Sequence, residues 1–377
     1  MTARVRRGPV GVVLFLAPFN YPLNEMYAML IPALLMGNTV VMKLPTIGGQ
    51  CHLATVEAFA RHLPPGAINF VSGSGRVTCP PIMKSGLVDM LGFIGGSRAA
   101  DALIGDHPQP HRLKVFSQLE GKNIAVVLAD ADLDVAAAQC ALGATSYNGQ
   151  RCTAIKLMMV HESVADAFLA KLAARVANLT VGLPWDARGA DITPLPEEGK
   201  PAYLCELVAD ALASGARVLN AADGGGTLAG ALLTPPIVYP VTPAMRLFHE
   251  EQFGPVIPVA TFRDAAEVDA AVRASWNGQQ AAIFTTDATG DVAAPLIDML
   301  ANVVGRINVN AQCGRSPDTF PFSGRRSSAM GTMSVSEALR GFSIETVVAY
   351  PAASDVSRTV LAAVDAKSAF LSPMGSS

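Results

Sequence analysis

One cysteine of the six in this chain, Cys152, has neighbours that could make a thiol nucleophilic. It follows the run Asn148-Gly-Gln-Arg151, which places a glycine loop before it and a guanidinium beside it. A second stretch, Ala17-Pro-Phe-Asn20-Tyr21-Pro22, holds an amide side chain between prolines at the end of a strand-like run. A thiolate that attacks a carbonyl, with an amide and a backbone N–H to bind the oxyanion, performs acyl transfer. The pattern predicts acyl-transfer chemistry at Cys152, whereas the alternative of a small core residue fits Cys140 better.

Two further stretches combine charged and aromatic side chains on stiff backbone. Glu250-Glu251-Gln-Phe253-Gly-Pro255 joins a carboxylate and an aromatic ring on a turn, and 315–322 (RSPDTFPF) forms a polar loop with two prolines.

Two more generic motifs are incomplete in this sequence. Gly73-Ser-Gly75 opens like a dinucleotide fingerprint, but Thr78 stands at the third glycine position, and a plain turn explains the run about equally well. The aspartates of 130–134 lack the glycine and glutamate of a calcium loop and are predicted to cap a helix.

Short β-branched runs alternate with helical patterns and must position these residues. The predicted strands are 10–16, 39–42, 68–71, 88–94, 113–116, 124–128, 157–161 and 342–349. The predicted helices are 23–36, 50–62, 133–146, 165–178 and 202–214, with a third βα run over 259–310. Residues 181–200 and 315–333 are expected to be loops, and 351–377 a tail that is helical or partly disordered. Such alternation is typical of βαβ units, so we predict an α/β fold with a doubly wound parallel sheet.

Composition excludes several classes of protein. The 377 residues suggest two or three domains, with 50% hydrophobic and 16% charged residues. A net charge of −3 offers no general field for nucleic acid or anionic lipid. The cysteines contain no CxxC pair, so neither a disulfide framework nor a metal site is expected, and reduced thiols favour a cytoplasmic location. The longest apolar run, 26–36, is too short to cross a membrane, and no signal peptide is evident.

Taken together, the ordered motifs resemble those of the aldehyde dehydrogenase superfamily, and within it the NADP-dependent, non-phosphorylating glyceraldehyde-3-phosphate branch. The resemblance runs from about Arg6 to Tyr350 and is densest at APFNYP, GNTVVMK, FIGGS, NGQRCTAIK, ITP, VTPAMR, EEQFGPV and RSPDTFPFSG. It implies a cofactor domain over 1–121, a catalytic domain over 122–326, an arm with an oligomerisation strand over 327–350 and a tail over 351–377. A homo-oligomer, dimer or tetramer, follows from the same resemblance.

The resemblance also implies a role for each matching residue. Cys152 would be the nucleophile and Asn20 the oxyanion amide. The cofactor-binding residues, for NADP with NAD as an alternative, would be Lys43 and Thr46 at the adenosine ribose and 2′-phosphate, Gly75 and Ser97 along the adenine and pyrophosphate, and Glu251 and Phe253 at the nicotinamide ribose and ring. The contacts to a substrate phosphate would be Tyr21, Arg151 and Arg315. Arginine suits this task because its planar fork pairs with two phosphate oxygens.

Two departures from the family pattern matter. The general-base motif Glu-Leu-Gly-Gly-Lys reads Gln118-Leu-Glu120-Gly-Lys122 here, and an amide cannot accept a proton from water. Glu120 lies on the same face of the strand ~6–7 Å along, and would substitute only after a backbone shift. The family also carries an N-terminal piece, with one more phosphate-binding arginine, that this sequence lacks. Apolar surface beneath that piece is expected to be exposed and to weaken folding.

Three functions therefore remain open. The first is hydrolytic oxidation of an aldehyde, which Arg151 and Arg315 favour. The second is a dehydrogenase that transfers the acyl group to coenzyme A and needs no water-activating carboxylate, which Gln118 favours. The third is an inactive chain that binds only nucleotide or other subunits. Partners beyond a small, phosphorylated aldehyde and a second copy of the chain are not expected.

Overall fold

The computed structural model describes residues 1–186 and 189–371. By its internal contacts the chain divides into two compact units. Unit 1 comprises Met1–Phe93, Ala102–Phe116 and the chain from Met333 onward. Unit 2 comprises Ile94–Asp101 and Ser117–Thr332. The C-terminal segment thus groups with the N-terminal one, whereas the domain ranges expected from the sequence are consecutive and stay predictions.

The described ranges contain twelve α-helices, three short 3-10 helices and nineteen strands. The helices are α1 (Asn24–Leu35), α2 (Gln50–His62), α3 (Gly75–Lys84), α4 (Ser97–Asp106), α5 (Leu133–Thr145), α6 (Ala165–Ala177), α7 (Lys200–Ala213), α8 (Arg246–His249), α9 (Ala265–Ala274), α10 (Ala293–Leu300), α11 (Val335–Gly341) and α12 (Asp355–Asp365). The strands are β1 (Thr2–Pro9), β2 (Val12–Leu16), β3 (Thr39–Lys43), β4 (Ile68–Val71), β5 (Met90–Ile94), β6 (Lys114–Gln118), β7 (Asn123–Val127), β8 (Ile155–His161), β9 (Arg217–Val218), β10 (Leu228–Ala229), β11 (Leu232–Leu233), β12 (Ile237–Tyr239), β13 (Ile257–Phe262), β14 (Asn277–Gly278), β15 (Gln280–Phe284), β16 (Arg306–Val309), β17 (Arg325–Arg326), β18 (Ala329–Met330) and β19 (Ser343–Tyr350).

Unit 1 is built on a sheet in the order β6-β5-β2-β3-β4. Strand β2 is parallel to both β3 and β5, and β3 is parallel to β4. Val13, Leu14 and Phe15 of β2 are fully buried, as expected for a central strand covered on both faces. Because helices alternate with these strands, the carboxyl ends of β2 and β3 deliver the residues that follow them to one edge of the sheet.

A two-stranded ribbon also belongs to unit 1. Strands β1 and β19 pair antiparallel over their whole length, from Thr2 opposite Tyr350 to Pro9 opposite Ser343. Arg7 fastens the ribbon, since its Nε donates to Ser343 Oγ at 2.7 Å and its Nη1 to a Glu345 carboxylate oxygen at 2.7 Å. Most residues of both strands are exposed.

Unit 2 contains a seven-stranded sheet in the order β16-β15-β7-β8-β13-β12-β9, parallel except for β9. Alternate residues of each strand face opposite helices. Ile124 and Val126 of β7 pack in the core with α7, α9 and α10, whereas Ala125 and Val127 pack with α5 and α6. Helices on both faces of a parallel sheet make a doubly wound α/β unit, which confirms the predicted fold class.

Most predicted elements are present with ends shifted by one or two residues. Strand β4 and helix α2 have the predicted bounds, and Asp132 caps α5 by accepting from Asp134 N and Val135 N. The plain turn considered at 73–78 is wrong, because α3 begins at Gly75 and continues through Pro80 and Pro81. Within the predicted loop at 181–200, the described residues up to 199 hold an isolated bridge between Val181 and Ile192, residues 187–188 lie outside the description, and α7 begins at Lys200. The predicted tail contains α12, and 372–377 lie outside the described residues.

Candidate active site

The loop that precedes Cys152 has an unusual backbone. Tyr147, Asn148 and Gly149 all adopt left-handed conformations, with φ of 55°, 59° and 64°. Side chains disfavour this region, so something must hold it. Asn148 is held by Thr193: the Asn148 Nδ2 donates to the Thr193 carbonyl at 3.0 Å, and Thr193 N donates to Asn148 Oδ1 at 2.9 Å. The ITP motif therefore supports the loop of the candidate nucleophile.

Glycines bring this loop against the turn that carries Phe253. A Cβ on Gly149 would lie 2.5 Å from the carbonyl oxygen of Gly254 and 2.6 Å from that of Ala144. A Cβ on Gly121 would lie 2.5 Å from the carbonyl oxygen of Cys152. Only glycine permits both approaches. The NGQRC, EEQFGP and LEGK segments, far apart in sequence, consequently meet at one place in unit 2.

The side-chain amide of Asn123 holds the Cys152 backbone. Asn123 Nδ2 donates to the Cys152 carbonyl at 2.7 Å and to the Ala154 carbonyl at 2.9 Å, while Asn123 Oδ1 accepts from Gln280 N at 2.9 Å. Asn123 is buried, so these bonds form away from water. They set the position of Cys152 at the entry to β8.

Glu251 and Phe253 share a buried cation. Lys156 Nζ is 3.1 Å from Glu251 Oε1 and 4.7 Å from the centre of the Phe253 ring, and Gly121 N donates to the same Oε1 at 3.2 Å. The pKa of Lys156 lies below its ordinary value because burial disfavours the ammonium, although the charges of Glu251 and Cys152 oppose that shift. The carboxylate and ring are therefore held together on one side of the Cys152 loop.

A second buried lysine holds the same turn by its backbone. Lys122 Nζ donates to the carbonyls of Leu247 and Glu250, each at 2.8 Å, and to Gln252 Oε1 at 2.9 Å. Burial lowers the pKa of Lys122 well below its ordinary value, and the positive charge of Lys156 lowers it further. Gln252 in turn donates to the carbonyl of Lys156 at 3.0 Å. These contacts make the turn before Phe253 a rigid part of the site.

The position of the family's general base holds no carboxylate. Gln118 is buried at the end of β6, where its Nε2 lies 3.4 Å from the carbonyl of Phe322 and its Oε1 meets no donor among the described residues. Glu120 is engaged elsewhere: Ser97 N, at the start of α4, donates to its two carboxylate oxygens at 2.9 and 2.8 Å. A negative charge suits a helix N-terminus. The structure therefore uses Glu120 as a cap for α4.

The two arginines predicted to contact phosphate differ in their surroundings. Arg151 is buried, and its Nη2 donates to the carbonyl of Gly143 at 3.0 Å and to Gln312 Oε1 at 3.1 Å. Arg315 lies with Nε 3.4 Å from an Asp318 carboxylate oxygen and its guanidinium 5.6 Å from the Phe322 ring centre. Part of the Arg151 donor set is thus committed within the protein, and both phosphate roles stay predictions.

Arg306 organises the loop that carries Arg315. Its Nη1 donates to the carbonyls of Gly314, Arg315 and Ser316 at 3.0, 3.1 and 3.1 Å. Three carbonyls on one guanidinium fix the backbone of a segment that has little secondary structure of its own.

The remaining predicted residues lie in unit 1. Asn20 and Tyr21 are half-buried in the turn between β2 and α1. Lys43 is the last residue of β3, and Thr46 is exposed in the turn that follows. Gly75 opens α3, and a Cβ there would lie 3.8 Å from Lys43 Nζ. The structure thus brings Lys43 and Gly75 close together.

This part of unit 1 fits an anionic cofactor. Lys43 makes no ion pair within residues 1–186 and 189–371, and burial lowers its pKa, although the Cys79 charge opposes the shift. The N-cap residue of α3, Ser74, makes no side-chain cap hydrogen bond among the described residues. An ammonium beside a helix N-terminus is a donor set that suits the phosphates of NADP. The same described residues contain no group of three or more His, Cys, Asp or Glu side chains able to hold a metal ion.

Sequence reasoning missed the residues that hold the site together. Lys122, Asn123 and Lys156 were not singled out, yet each contacts the Cys152 loop or the Glu251 turn. The sequence did carry a signal for Lys156. A lysine within the apolar run of β8 is unusual, because the residues on either side of it are apolar and buried. Lys122 similarly precedes the fully buried strand β7, and Asn123 is the first residue of that strand.

Comparisons with known proteins give the family. A model of the aldehyde dehydrogenase family matches residues 1–348. The chain is 38% identical over 337 residues to the NADP-dependent glyceraldehyde-3-phosphate dehydrogenase of Streptococcus equinus, covering 88% of this chain and 67% of that protein. The enzyme of the same name from Pisum sativum is 36% identical over 334 residues, covering 88% of this chain and 64% of that protein. The chain thus spans about two thirds of the length of the curated relatives it matches.

Solved structures give the same result for the fold. The NADP-dependent glyceraldehyde-3-phosphate dehydrogenase of Bacillus halodurans C-125, complexed with NADP, superposes with a TM-score of 0.85 at 41% identity, covering 92% of this chain and 70% of that one. The glyceraldehyde-3-phosphate dehydrogenase GapN of Methanocaldococcus jannaschii, also complexed with NADP, gives a TM-score of 0.82 at 28% identity over 91% of this chain and 74% of that one.

Proposed function

The chain belongs to the aldehyde dehydrogenase family, and we propose that it oxidises an aldehyde with NADP. The observation that carries this proposal is the Cys152 loop, held in a strained conformation against the Glu251–Phe253 turn. Glyceraldehyde 3-phosphate is the proposed substrate because the similar proteins bear that name and because Arg151 and Arg315 accompany the motif. The product of the hydrolytic reaction is 3-phosphoglycerate.

The chemistry assigned to the chain's own residues begins at sulfur. The Cys152 thiolate adds to the aldehyde carbon, which forms a C–S bond and leaves an oxyanion that the Asn20 amide would stabilise. NADP, when bound, supplies the acceptor for the hydride that leaves this carbon. A thioester on Cys152 remains, and water must add to it before the acid and the free thiol are released.

Release of the acyl group is the step in which this chain departs from its family. Gln118 offers no base, and the Glu120 carboxylate caps α4. We therefore propose that thioester hydrolysis is slow. The same observation supports a second candidate function, transfer of the acyl group to the thiol of coenzyme A, since such a nucleophile needs no water-activating carboxylate at position 118.

The cofactor preference follows from charge. Lys43 ends β3 and Thr46 follows it, where a 2′-phosphate would bind, and neither residue is acidic. A carboxylate there would favour NAD by accepting from a free 2′-hydroxyl and repelling a phosphate.

We also propose a homo-oligomer, dimer or tetramer, that uses the β1–β19 ribbon. The ribbon exposes Val5, Ile344 and Val347, and it has unpaired backbone at its edges. Light scattering coupled to gel filtration measures the number of chains in the assembly directly, and a monomer at micromolar concentration would exclude the homo-oligomer.

A cytoplasmic location is proposed from the six cysteines, which are all free thiols. Among the residues that the structure describes, no helix has the length and apolarity to cross a membrane.

Product analysis tests the proposed reaction. The purified chain is incubated with glyceraldehyde 3-phosphate and NADP, with and without coenzyme A. We expect NADPH in both mixtures, with 3-phosphoglycerate as the slow product when coenzyme A is absent. Acyl-coenzyme A formed at a much higher rate would favour the second function, and no NADPH in either mixture would exclude both.

A further inference from the structure

Lys156 is a charged side chain in a place where an apolar one would suffice. It is the second residue of β8, and only 1% of its surface is exposed. Ile155, Leu157 and Met158 around it are buried and apolar. A buried ammonium is costly unless a partner compensates it, so its retention calls for a reason beyond packing.

The contacts of Lys156 fix the Glu251 carboxylate through one of its two oxygens. Lys156 Nζ and Gly121 N both reach the same oxygen, Glu251 Oε1, at 3.1 and 3.2 Å. Within residues 1–186 and 189–371, the other oxygen, Oε2, accepts no hydrogen bond. The Glu251 side chain is 11% exposed, so the carboxylate is fixed through one oxygen while the other stays available as an acceptor.

The same ammonium also constrains an aromatic ring. Lys156 Nζ lies over the face of Phe253, 4.7 Å from the ring centre, a distance at which a cation is attracted by the ring. Phe253 has a left-handed backbone, with φ of 39°, a conformation that side chains disfavour. One buried charge therefore contacts two side chains that lie on one turn.

We propose that Lys156 is a positioning residue for the cofactor, acting through Glu251. It holds Glu251 so that Oε2 can accept from a ribose hydroxyl. This inference rests on the proposed function, because the family resemblance behind that function places Glu251 at the nicotinamide ribose.

Binding of NADP measures this role without any turnover. Titration calorimetry gives the dissociation constant for the wild-type chain and for Lys156→Met, Glu251→Gln and the double variant. Each single substitution should weaken binding about tenfold, the usual effect of losing a hydrogen bond to a charged group. The double variant should also be about tenfold weaker rather than a hundredfold, because Lys156 acts through Glu251.

A matched control separates position from charge. Lys200 Nζ also lies near the Phe253 ring, 5.5 Å from its centre, but it contacts Glu197 and not Glu251. Lys200→Met should leave NADP affinity within about twofold. A loss as large as that of Lys156→Met would show a general effect of charge and overturn the proposal.

The variants also distinguish the failure of this inference from failure of the proposed function. Normal NADP binding by Glu251→Gln would remove the cofactor role of Glu251 and the inference with it. Weak binding by Glu251→Gln with normal binding by Lys156→Met would overturn the inference alone. If Lys156→Met does not fold, the double variant leaves no unpaired charge, and its affinity is compared with that of Glu251→Gln. A further tenfold loss in the double variant would contradict action through Glu251.

Discussion

At the scale of single residues, the amide at position 118 determines how the proposed reaction ends. Hydride loss needs only the thiolate, the oxyanion donors and the cofactor, whereas water attack on the thioester gains about 10²–10⁴-fold from a general base. We therefore expect a burst of NADPH close to one equivalent per site, followed by a slow steady rate. Stopped-flow absorbance resolves the two phases.

Substitutions at the two candidate positions give the burst its control. Gln118→Glu should accelerate the slow phase, and Glu120→Gln should leave that phase unchanged because the Glu120 carboxylate accepts from Ser97 N. Fast turnover without a burst in the wild-type chain, lost in Glu120→Gln, would instead make Glu120 the base.

Arg315 offers a second test at this scale. If its guanidinium contacts the substrate phosphate, Arg315→Met should raise the KM for glyceraldehyde 3-phosphate and hardly change the KM for unphosphorylated glyceraldehyde. A charge-assisted contact is worth about 1.5–3 kcal/mol, or roughly ten- to a hundredfold. Steady-state kinetics with both aldehydes, and with the surface variant Arg340→Met as control, provide the comparison. Equal effects on both aldehydes would show that Arg315 has only a structural role in its loop.

At the scale of elements, the approach of the Cys152 loop to the Phe253 turn depends on Gly149. Gly149→Ala would combine a left-handed backbone with overlap against two carbonyl oxygens, and should reduce the free energy of unfolding by at least about 2 kcal/mol. Gly290 has a similar φ of 78° with nothing within 4 Å of a Cβ, so Gly290→Ala should cost only about 1 kcal/mol. Urea denaturation measures both, and equal losses would show that the close approach contributes nothing.

The ends of β3 and the start of α3 form the proposed phosphate-binding elements. Lys43→Met should weaken NADP binding by about tenfold or more and NAD binding much less, since only NADP carries the 2′-phosphate. Lys84→Met, at the other end of α3, is the matched control because Lys84 pairs with Asp106. Calorimetric titration with NADP and with NAD measures both affinities. Tighter binding of NAD than of NADP by the wild-type chain would contradict the proposed preference for NADP.

Helices and strands were easier to predict from the sequence than the side-chain contacts between them. Apolar runs and helical periodicity placed β4 and α2 correctly, because both signals are local. Helix α3 was missed since Pro80 and Pro81 usually end helices, yet burial of Cys79 and Met83 stabilises it here. The contacts of Asn148 with Thr193 and of Lys156 with Glu251 join residues 45 and 95 positions apart. No local pattern specifies such pairs. The motifs therefore predicted Cys152 as the nucleophile but not the contacts that position its loop.

At the scale of the whole molecule, charge and composition restrict what the chain can bind. A net charge of −3 gives no general attraction for a phosphorylated substrate or a dinucleotide. Anion binding must then come from individual cations such as Lys43 and Arg315. Unit 1 also exposes large apolar side chains, among them Leu35, Val77 and Leu87.

The account as a whole depends on a covalent acyl intermediate at one cysteine. The most direct measurement is acid quenching of the chain within the burst phase, with glyceraldehyde 3-phosphate and NADP, followed by peptide mass spectrometry. We predict a phosphoglyceroyl adduct on the peptide that contains Cys152, absent without NADP and absent in Cys152→Ser. NADPH formed without any adduct on that peptide, or an adduct on one of the other five cysteines that survives Cys152→Ser, would contradict it.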